Sequence, residues 1–356
     1  MTKKMQGAVL DGIMSIAVHE VDMPVPRPDE ALIRVHCIGV CGSDIHYYEH
    51  GRIGRYVVDS PLILGHELAG QVVEVGANVR NIEPGDRVAV EPGIPCDRCD
   101  YCKAGRYNLC PDVRFMATPP IDGAWAEYVA VRSDFLHRLP DELSYEEGAL
   151  LEPLSVGFHA MRRAGLGPSD RIYISGLGPV GLLAVTAARM HGVSRIIGGD
   201  VLPLRREMAR ELGADAVLDP ADESVADRLS ELTGNRGVTA VIESSGNARA
   251  VADTIGNVRR GGKVVLIGLP TSREIPLDVT QLVDKELDVL GVFRYANTYP
   301  AAIDALLHDD HPIERIVTHR FALDEIATAC EVARTQKDLS VKVMIYPHSP
   351  DARAHV

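Results

Sequence analysis

RIYISGLGPVG, residues 171–181, is an apolar run that leads into three glycines with the spacing Gly-x-Gly-x-x-Gly. Its first half predicts a β-strand, and the residues that follow predict a helix over Gly181–His191. In such a turn the first glycine allows a tight bend, the second lets the backbone approach a pyrophosphate, and the third lets helix and strand pack closely. The helix N-terminus adds free N–H groups and a positive dipole end. The segment therefore predicts a dinucleotide-binding turn made by Gly176, Gly178, Pro179, Val180 and Gly181.

Strand and helix patterns alternate along the chain around this turn. We expect helices such as Leu204–Leu212 between apolar strands at 171–175, 195–199, 216–218, 240–243, 263–267 and 289–293. This alternation predicts a parallel sheet with helices on both faces, and six strands fit the doubly wound Rossmann fold. The sequence thus predicts an α/β coenzyme domain over residues 156–296.

The remainder of the 356-residue chain has a different pattern. Up to residue 155 it contains short β-type runs separated by Gly and Pro, such as Ala31–Val35, Gln71–Val75 and Asp86–Val90. We therefore expect a β-rich catalytic domain over residues 1–155. The tail mixes helix with a final strand, Val341–Tyr346, and we expect residues 297–356 to complete this first domain.

Asp200 ends the second predicted strand of the coenzyme domain, 24 positions after Gly176. A carboxylate at that place accepts hydrogen bonds from the adenosine ribose and repels a 2′-phosphate, which favours NAD over NADP. Arg205 and Arg206 follow closely and could accommodate the extra phosphate, so NADP stays open as an alternative.

Four cysteines with the spacing Cys-x2-Cys-x2-Cys-x7-Cys form the loop-rich excursion of the first domain: Cys96, Cys99, Cys102 and Cys110. Four thiolates complete the tetrahedral coordination of one zinc, which predicts a closed, structural site. An iron–sulfur cluster is a rival because Pro111 follows the last cysteine, although the spacing of seven does not fit a ferredoxin run. Unligated thiols are the second rival.

A second, incomplete ligand set is formed by Cys41 and His66, with Glu67 and Glu152 as further candidates. Catalytic zinc takes three protein ligands and keeps one position open. One thiolate and one carboxylate cancel the charge of the metal, whereas a second carboxylate would make the site negative. We therefore expect one glutamate on the metal and the other on the bound water or exchanging with it. The sequence does not say which.

Composition and charge exclude several classes of function. The formal net charge of −13 argues against a surface for nucleic acid, which needs basic patches. No apolar segment is long enough to span a membrane, and residues 1–6 lead into no signal-peptide core, so we expect a cytoplasmic protein. An odd number of cysteines, seven, fits metal binding in a reducing compartment better than disulfide pairing.

The motif Gly65-His66-Glu67-x2-Gly70-x5-Gly76-x2-Val79, together with the features above, resembles the zinc-containing medium-chain dehydrogenases over essentially the whole chain. Within that family it is most similar to the sorbitol (polyol) dehydrogenases, on the segments Cys41–Tyr47, Ala117–Pro120, Glu152–Gly157 and Phe293–Thr298. The resemblance implies a GroES-like catalytic domain beside the Rossmann domain. It also implies two zinc ions per chain, one catalytic and one structural, and a homotetramer.

The activity implied by this resemblance is transfer of a hydride from a secondary hydroxyl of a sorbitol- or xylitol-like polyol to NAD, which gives a ketose. The alternatives within the class are zinc-dependent butanediol, threonine and other secondary-alcohol dehydrogenases. The alternative from another class is a non-catalytic zinc- and dinucleotide-binding protein, which would lack the open-site ligands.

The resemblance also assigns roles to individual residues of this chain. Ser43 and His46, three residues apart, would carry the released proton, and Glu152 would act at the metal. The substrate would be bound by Tyr47, Phe115, Glu152, Arg294 and Tyr295. Beyond the glycine turn, the coenzyme would be bound by Asp200, Arg205, Gly268, Leu269, Val292, Phe293 and Arg294.

Overall fold

The computed structural model describes residues 3–222, 224–270, 272, 274–310 and 312–348. Within these residues, no helix combines the length and the apolar character that crossing a bilayer requires. The outermost parts of the expected catalytic domain, residues 1–2 and 349–356, lie outside the described residues.

The strands are β1 Lys4–Gly12, β2 Ser15–Asp22, β3 Glu30–Gly39, β4 Arg52–Ile53, β5 Tyr56–Val57, β6 Leu62–Ile63, β7 Glu67–Val75, β8 Arg87–Val90, β9 Gly93–Ile94, β10 Arg114–Phe115, β11 Tyr128–Arg132, β12 Leu136–Arg138, β13 Arg171–Ser175, β14 Arg195–Gly199, β15 Ala216–Leu218, β16 Val238–Glu243, β17 Val258–Leu266, β18 Asp288–Gly291, β19 Val317–Ala322 and β20 Lys342–Tyr346. The helices are α1 Gly42–His50, α2 Asp100–Lys103, α3 Tyr145–Ala164, α4 Pro179–Met190, α5 Pro203–Glu211, α6 Val225–Leu232, α7 Ala248–Asn257, α8 Val279–Asp284, α9 Tyr299–Leu306 and α10 Ile326–Thr335.

These elements form two compact units. The first unit ends its main stretch at Glu152 and adds Tyr299–Leu307 and the residues from Val317 onward. The second unit consists of Pro153–Thr298 and the short segment His308–Ile316. The sequence predicts that residues 297–356 belong to the first domain. In the structure, the segment His308–Ile316 groups with the second unit instead.

The second unit is built on a six-stranded, wholly parallel sheet with the order β15-β14-β13-β16-β17-β18. Its central strands β13 and β16 are almost entirely buried, as expected for a parallel sheet covered on both faces. The predicted strands at 171–175, 195–199 and 216–218 are confirmed with the same bounds. Strand order reverses at β13, which places the switch point of the doubly wound fold outside the carboxyl ends of β13 and β16.

The first unit is dominated by a mixed sheet with the order β12-β8-β7-β3-β20-β19, in which β11 also pairs with β3. Strand β3 pairs antiparallel with β7 from Ala31 opposite Val75 to Gly39 opposite Glu67. The predicted final strand returns to this sheet, because Met344 and Ile345 of β20 pair with Gly39 and Ile38. Residues from the two ends of the chain therefore share one core.

Helix α3 connects the two units, since the boundary between them falls after Glu152 in its middle. A capping box starts the helix. Ser144 Oγ accepts a hydrogen bond from the Glu147 N–H at 3.1 Å, and the Glu147 carboxylate accepts one from the Ser144 N–H at 2.7 Å. Pro153 lies inside the helix and cannot donate to the carbonyl four residues earlier, so the helix loses one backbone hydrogen bond beside Glu152.

Candidate active site

Asp44 organises the start of α1, where Cys41 is the N-cap residue. The Asp44 carboxylate is fully buried and accepts a hydrogen bond from the Cys41 N–H at 3.0 Å through one oxygen. Its other oxygen accepts one from the Gly65 N–H at 3.1 Å. One side chain thus joins the segments that carry Cys41 and His66, which are 25 positions apart in sequence.

Gly65 gives the backbone the sharp turn that presents His66 to this cluster. It has a φ of +87°, and a Cβ at this position would lie 2.3 Å from the indole of the fully buried Trp125. His66 itself is 5% exposed, and the ring of Phe115 lies 5.6 Å from it, centroid to centroid. The predicted substrate residue Phe115 therefore forms one wall beside the predicted ligand.

The electrostatic environment of His66 is dominated by two acidic neighbours. Burial lowers the pKa of the imidazole, but the Asp44 carboxylate and the Cys41 sulfur outweigh it, so the pKa of His66 is raised well above its usual value. Its Nδ1 lies 3.4 Å from Asp44 Oδ1, which is long for a hydrogen bond. Positive charge is therefore strongly favoured next to the Cys41 sulfur.

Cys41, His66 and Glu67 each offer one ligand atom, and these atoms lie within 4.8 Å of one another. That spacing suits bond lengths of about 2.0–2.3 Å to a shared ion. Sulfur, nitrogen and oxygen together form a donor set that zinc accepts, and three protein ligands leave a fourth position open. These side chains therefore fit a catalytic zinc, in agreement with the donor set expected from the sequence.

Lys342, the first residue of β20, contributes a charge that the sequence analysis missed. Its Nζ donates to the Glu67 carboxylate at 2.6 and 2.9 Å and to the Val40 carbonyl at 3.1 Å, and both charged side chains are 1% exposed. A Cβ at Gly39 would lie 2.1 Å from Glu67 Oε2, so only glycine leaves room for this carboxylate. A lone lysine in an otherwise apolar strand was the signal available in the sequence.

Glu152 lies on α3 and is 6% exposed. Burial lowers the pKa of Lys342, but the negative charges of Glu67, Cys41 and Glu152 outweigh burial and raise it, so Glu152 acts on the same lysine. The three side chains within 4.8 Å of one another include Glu67 and do not include Glu152. Lys342 thus brings a positive charge to a site that already contains several acidic side chains.

Helix α1 carries three of the predicted site residues on its first two turns. Ser43 and His46 are three residues apart and therefore lie on one face of the helix. His46 Nδ1 is buried and has no hydrogen-bond partner in the described part of the chain. The centroid of the His46 ring lies 4.9 Å from that of the exposed His50 ring. Tyr47 is buried, 4% exposed. The sequence analysis did not single out His50.

The four cysteines of the excursion come together in the first unit. Their sulfurs lie within 4.8 Å of one another, and Cys99 Sγ is 3.3 Å from Cys102 Sγ. The N–H groups of Arg98 and Cys99 lower the pKa of the Cys96 thiol to about 7. Sulfurs at this spacing suit one shared ion better than a cluster of several irons. The arrangement could hold one closed tetrahedral zinc.

The coenzyme turn of the second unit has the geometry that its glycines predict. Gly176 has a φ of +86°, and a Cβ at Gly181 would lie 2.0 Å from the Gly176 carbonyl oxygen. Gly178 is the N-cap of α4, and Pro179 occupies the first helical position. Apart from its chain neighbours, the described atom nearest to the place of a Gly178 Cβ is Arg205 Nη1 at 3.9 Å, which leaves room on this face of the turn for a ligand.

Asp200 follows β14 and lies beside this turn. Its carboxylate accepts hydrogen bonds from the Leu177 N–H at 2.8 Å and the Leu202 N–H at 2.9 Å. Arg205 Nη1 lies 3.6 Å from Asp200 Oδ2. Arg206 instead donates to Asp219 at 2.6 Å and to the Asp200 carbonyl at 2.7 Å. Arg205 and Arg206 are the two arginines that could accommodate the extra phosphate of NADP. Both lie near a carboxylate, and Arg206 has the shorter contact, which is with Asp219.

The remaining predicted coenzyme and substrate residues lie in loops that follow β17 and β18 of the second unit. The Val292 N–H donates to the Leu266 carbonyl at 2.9 Å, and the Arg294 guanidinium lies 4.9 Å from the Phe293 ring. Leu269 is 80% exposed, whereas Tyr295 is buried. The placement of Arg294 and Tyr295 beside the ligands of the first unit stays a prediction.

The loop after β17 is held by Glu243. The Gly268 N–H donates to the carbonyl of this buried residue, whose side chain accepts hydrogen bonds from the N–H groups of Ser245 and Gly246.

Comparison with known proteins gives matches to both halves of the chain. Residues 27–141 match the Alcohol dehydrogenase GroES-like domain, and residues 179–308 match the Zinc-binding dehydrogenase family. The chain is 46% identical over 346 residues to sorbitol dehydrogenase of Bacillus subtilis (strain 168), which covers 97% of this chain and 98% of that protein. These matches confirm the expected pairing of a GroES-like with a Rossmann domain.

Two solved structures share the fold over nearly the whole chain. An Escherichia coli oxidoreductase of unknown specificity has a TM-score of 0.92 at 37% identity, covering 97% of this chain and 99% of that one. The 2R,3R-butanediol dehydrogenase of Bacillus subtilis has a TM-score of 0.88 at 31% identity, covering 97% and 100%.

We predict that Cys102→Ser removes one zinc per chain and lowers the melting temperature, because the excursion then loses the ion that ties its ends together. Metal analysis of the purified protein and thermal unfolding check this. Cys330→Ala is the matched control: Cys330 is fully buried outside the cluster, so its loss should affect stability and leave the zinc content unchanged. An unchanged zinc content in Cys102→Ser, or a coloured iron-containing protein, would contradict the assignment.

Proposed function

Because the chain belongs to the zinc-dependent medium-chain dehydrogenases, we propose that it oxidises a secondary hydroxyl of a sorbitol- or xylitol-like polyol with NAD and gives a ketose. The observation that carries the proposal is the grouping of Cys41, His66 and Glu67 within 4.8 Å in a chain so similar to a sorbitol dehydrogenase. A purely binding protein on this scaffold would not need an incomplete ligand set.

Cys41, His66 and Glu67 would hold the catalytic zinc, and the four-cysteine cluster would hold a second, structural zinc. Zinc at an open site acts as a Lewis acid that lowers the pKa of the hydroxyl bound to it. Asp44 keeps the Cys41 and His66 segments in register through its two hydrogen bonds. Lys342 offsets the charge of Glu67, and Glu152 would face the substrate.

The released proton needs a path from the buried site to solvent. Ser43 and His46 lie on one face of α1, and His46 has a buried nitrogen without a partner. The exposed His50 ring contacts His46 one helical turn later. We assign Ser43, His46 and His50 to this path, in which each group accepts a proton from the one before it.

NAD would lie along the carboxyl ends of β13 and β14, with its pyrophosphate on the open face of Gly178 and at the N-terminus of α4. Bound there, NAD would supply the hydride acceptor of the reaction. Asp200 would bind the adenosine ribose. Arg205, whose Nη1 lies 3.6 Å from Asp200 Oδ2, would contribute to binding the phosphates. Gly268, Leu269, Val292, Phe293 and Arg294 would complete the site, as the resemblance implies.

Preference for a polyol requires several hydrogen-bonding groups around the reacting carbon. Tyr47, Glu152, Arg294 and Tyr295 would supply them, and Phe115 would close the apolar side next to His66. A site of this kind rejects alcohols that lack the neighbouring hydroxyls, because its own polar groups would be left unpaired. Rejection of alcohols without neighbouring hydroxyls distinguishes a polyol dehydrogenase from a butanediol dehydrogenase. The second activity stays an alternative because one of the similar solved structures is a butanediol dehydrogenase.

A substrate panel tests the proposal. With NAD, we expect kcat/KM for sorbitol or xylitol to exceed that for 2,3-butanediol, threonine and 2-propanol by at least about tenfold. The production of NADH, followed by its absorbance, is the measurement. A higher value for butanediol would overturn the polyol assignment, and undiminished turnover after a chelator has removed the zinc would overturn the metal mechanism.

For coenzyme choice we predict that Asp200→Ser lowers the ratio of kcat/KM for NAD to that for NADP by about tenfold, because the carboxylate that repels a 2′-phosphate is gone and Arg205 remains. Asp215→Ser is the control, since Asp215 accepts a hydrogen bond from the Ile196 N–H at the opposite end of β14. An unchanged ratio in Asp200→Ser would remove Asp200 from the ribose site.

A homo-oligomer, a tetramer by the resemblance, is the assembly we propose. Strand β18 ends the parallel sheet and, among the described residues, pairs with β17 alone, so its outer edge can pair with another chain. Val289 on this strand and Val279 and Val283 on α8 are exposed, the last two by 65% and 70%. None of the seven cysteines, all of them described, forms a disulfide, which favours a reducing compartment such as the cytoplasm.

We predict that Val283→Glu weakens this assembly and shifts the protein toward smaller species in size-exclusion chromatography with light scattering. A charge at an apolar interface has no partner there, whereas on a free surface it costs little. Val25→Glu in the first unit is the matched control, because Val25 is 76% exposed. The proposed interface fails if Val283→Glu and the parent protein have the same mass.

A further inference from the structure

Helix α3 and strand β20 contact each other through an acid-containing pair. The Tyr346 hydroxyl of β20 donates a hydrogen bond to Glu146 on the first turn of α3. Lys342 and Tyr346 are four residues apart on β20 and therefore lie on the same face of the strand. Glu152 follows Glu146 by six residues on the same helix. The first turn of this helix is thus tied to the strand that carries Lys342.

Glu146 is also bound by an arginine in a planar, two-pronged ion pair. Arg320 Nε donates to one carboxylate oxygen at 2.7 Å, and Arg320 Nη2 donates to the other at 2.8 Å. Hydrogen bonding to Glu146 raises the pKa of Arg320, and burial raises the pKa of Tyr346. Arg320 lies on β19, next to β20 in the sheet. Two neighbouring strands therefore hold the same helix residue, with a directionality that apolar packing lacks.

Close packing of the helix against β7 also restricts movement of the helix along its axis. A Cβ at Gly148 would lie 2.9 Å from the Cβ of Ala69 on β7. Gly148 and Glu152 are four residues apart and lie on one face of α3, while Ala69 and Glu67 lie on one face of β7. Sliding the helix along its axis would therefore move Glu152 relative to Glu67.

We propose that Glu146, Arg320 and Tyr346 are positioning residues, which fix the first turn of α3 against β19 and β20 and thereby set the position of the Glu152 carboxylate relative to Glu67. Pro153 makes this anchor necessary, because the helix lacks a backbone hydrogen bond directly after Glu152 and its second half belongs to the other unit. The inference rests on the proposed function in one respect: it requires Glu152 to act on the substrate or the metal.

A double-mutant cycle tests the proposal on the full chain loaded with zinc. We expect Glu146→Gln to lower kcat/KM for sorbitol about tenfold, since small displacements of a catalytic group are costly. In a Glu152→Gln background the same change should have less than about a twofold effect, because the group being positioned is already gone. NADH affinity and zinc content should stay at the level of the parent protein in both backgrounds.

Two further variants separate positioning from general stability. Glu30→Gln is the matched control: Glu30 is buried, is bound by Arg27 and lies at the start of β3, so its loss should leave kcat/KM unchanged. Arg320→Lys keeps the charge and loses the two-pronged geometry, and we expect a threefold or greater loss that also disappears in the Glu152→Gln background. It replaces Glu146→Gln in the cycle if that variant does not fold.

Equal effects of Glu146→Gln in both backgrounds would overturn the positioning role, because a merely structural residue acts independently of Glu152. If Glu152→Gln alone leaves sorbitol turnover unchanged, the assignment of Glu152 in the proposed function fails, and the positioning role falls with it. The two failures are thus told apart by the Glu152→Gln variant alone.

Discussion

The buried ion pair between Lys342 and Glu67 is the interaction on which the first unit and its site depend. Both side chains are 1% exposed, and the Nζ lies 2.6 Å from the nearer carboxylate oxygen. Removing one partner of such a pair typically costs about 3–5 kcal/mol, because the other charge remains buried and uncompensated. The pair therefore holds β20 and β7 on either side of β3, and it sets the charge that a metal would meet.

The arrangement around this pair is built from a few residues that each satisfy several groups. Asp44 receives N–H groups from two segments and lies beside His66. Gly39 leaves the space that the Glu67 carboxylate fills. Lys342 brings a positive charge next to the Glu67 carboxylate, in a cluster that also contains the Cys41 sulfur.

Much of the fold could be predicted from local pattern. The strands at 171–175, 195–199 and 216–218 and the turn of Gly176 have the predicted bounds, and the sheet order is that of the doubly wound fold. The four cysteines were visible because metal ligands of fixed type recur at short spacings. Cys41 lies 25 positions before His66, which Glu67 follows directly, and these three stood out as residue types that zinc binds rather than by a short spacing. The sequence analysis gave Asp44 and Lys342 no role at the site, since neither belongs to a periodic pattern or to a motif of metal ligands.

The sequence by itself determined which segments become strands, which turn has the glycine spacing that suits a dinucleotide and which side chains are of a type that can ligate zinc, because these properties depend on residue type and on near neighbours. Only the tertiary structure decided how the charges of the site balance. Lys342 meets a carboxylate 275 positions earlier, and Arg320 meets one 174 positions earlier. Contacts of this range arise from strand order and helix packing, and burial then makes their electrostatic effect large.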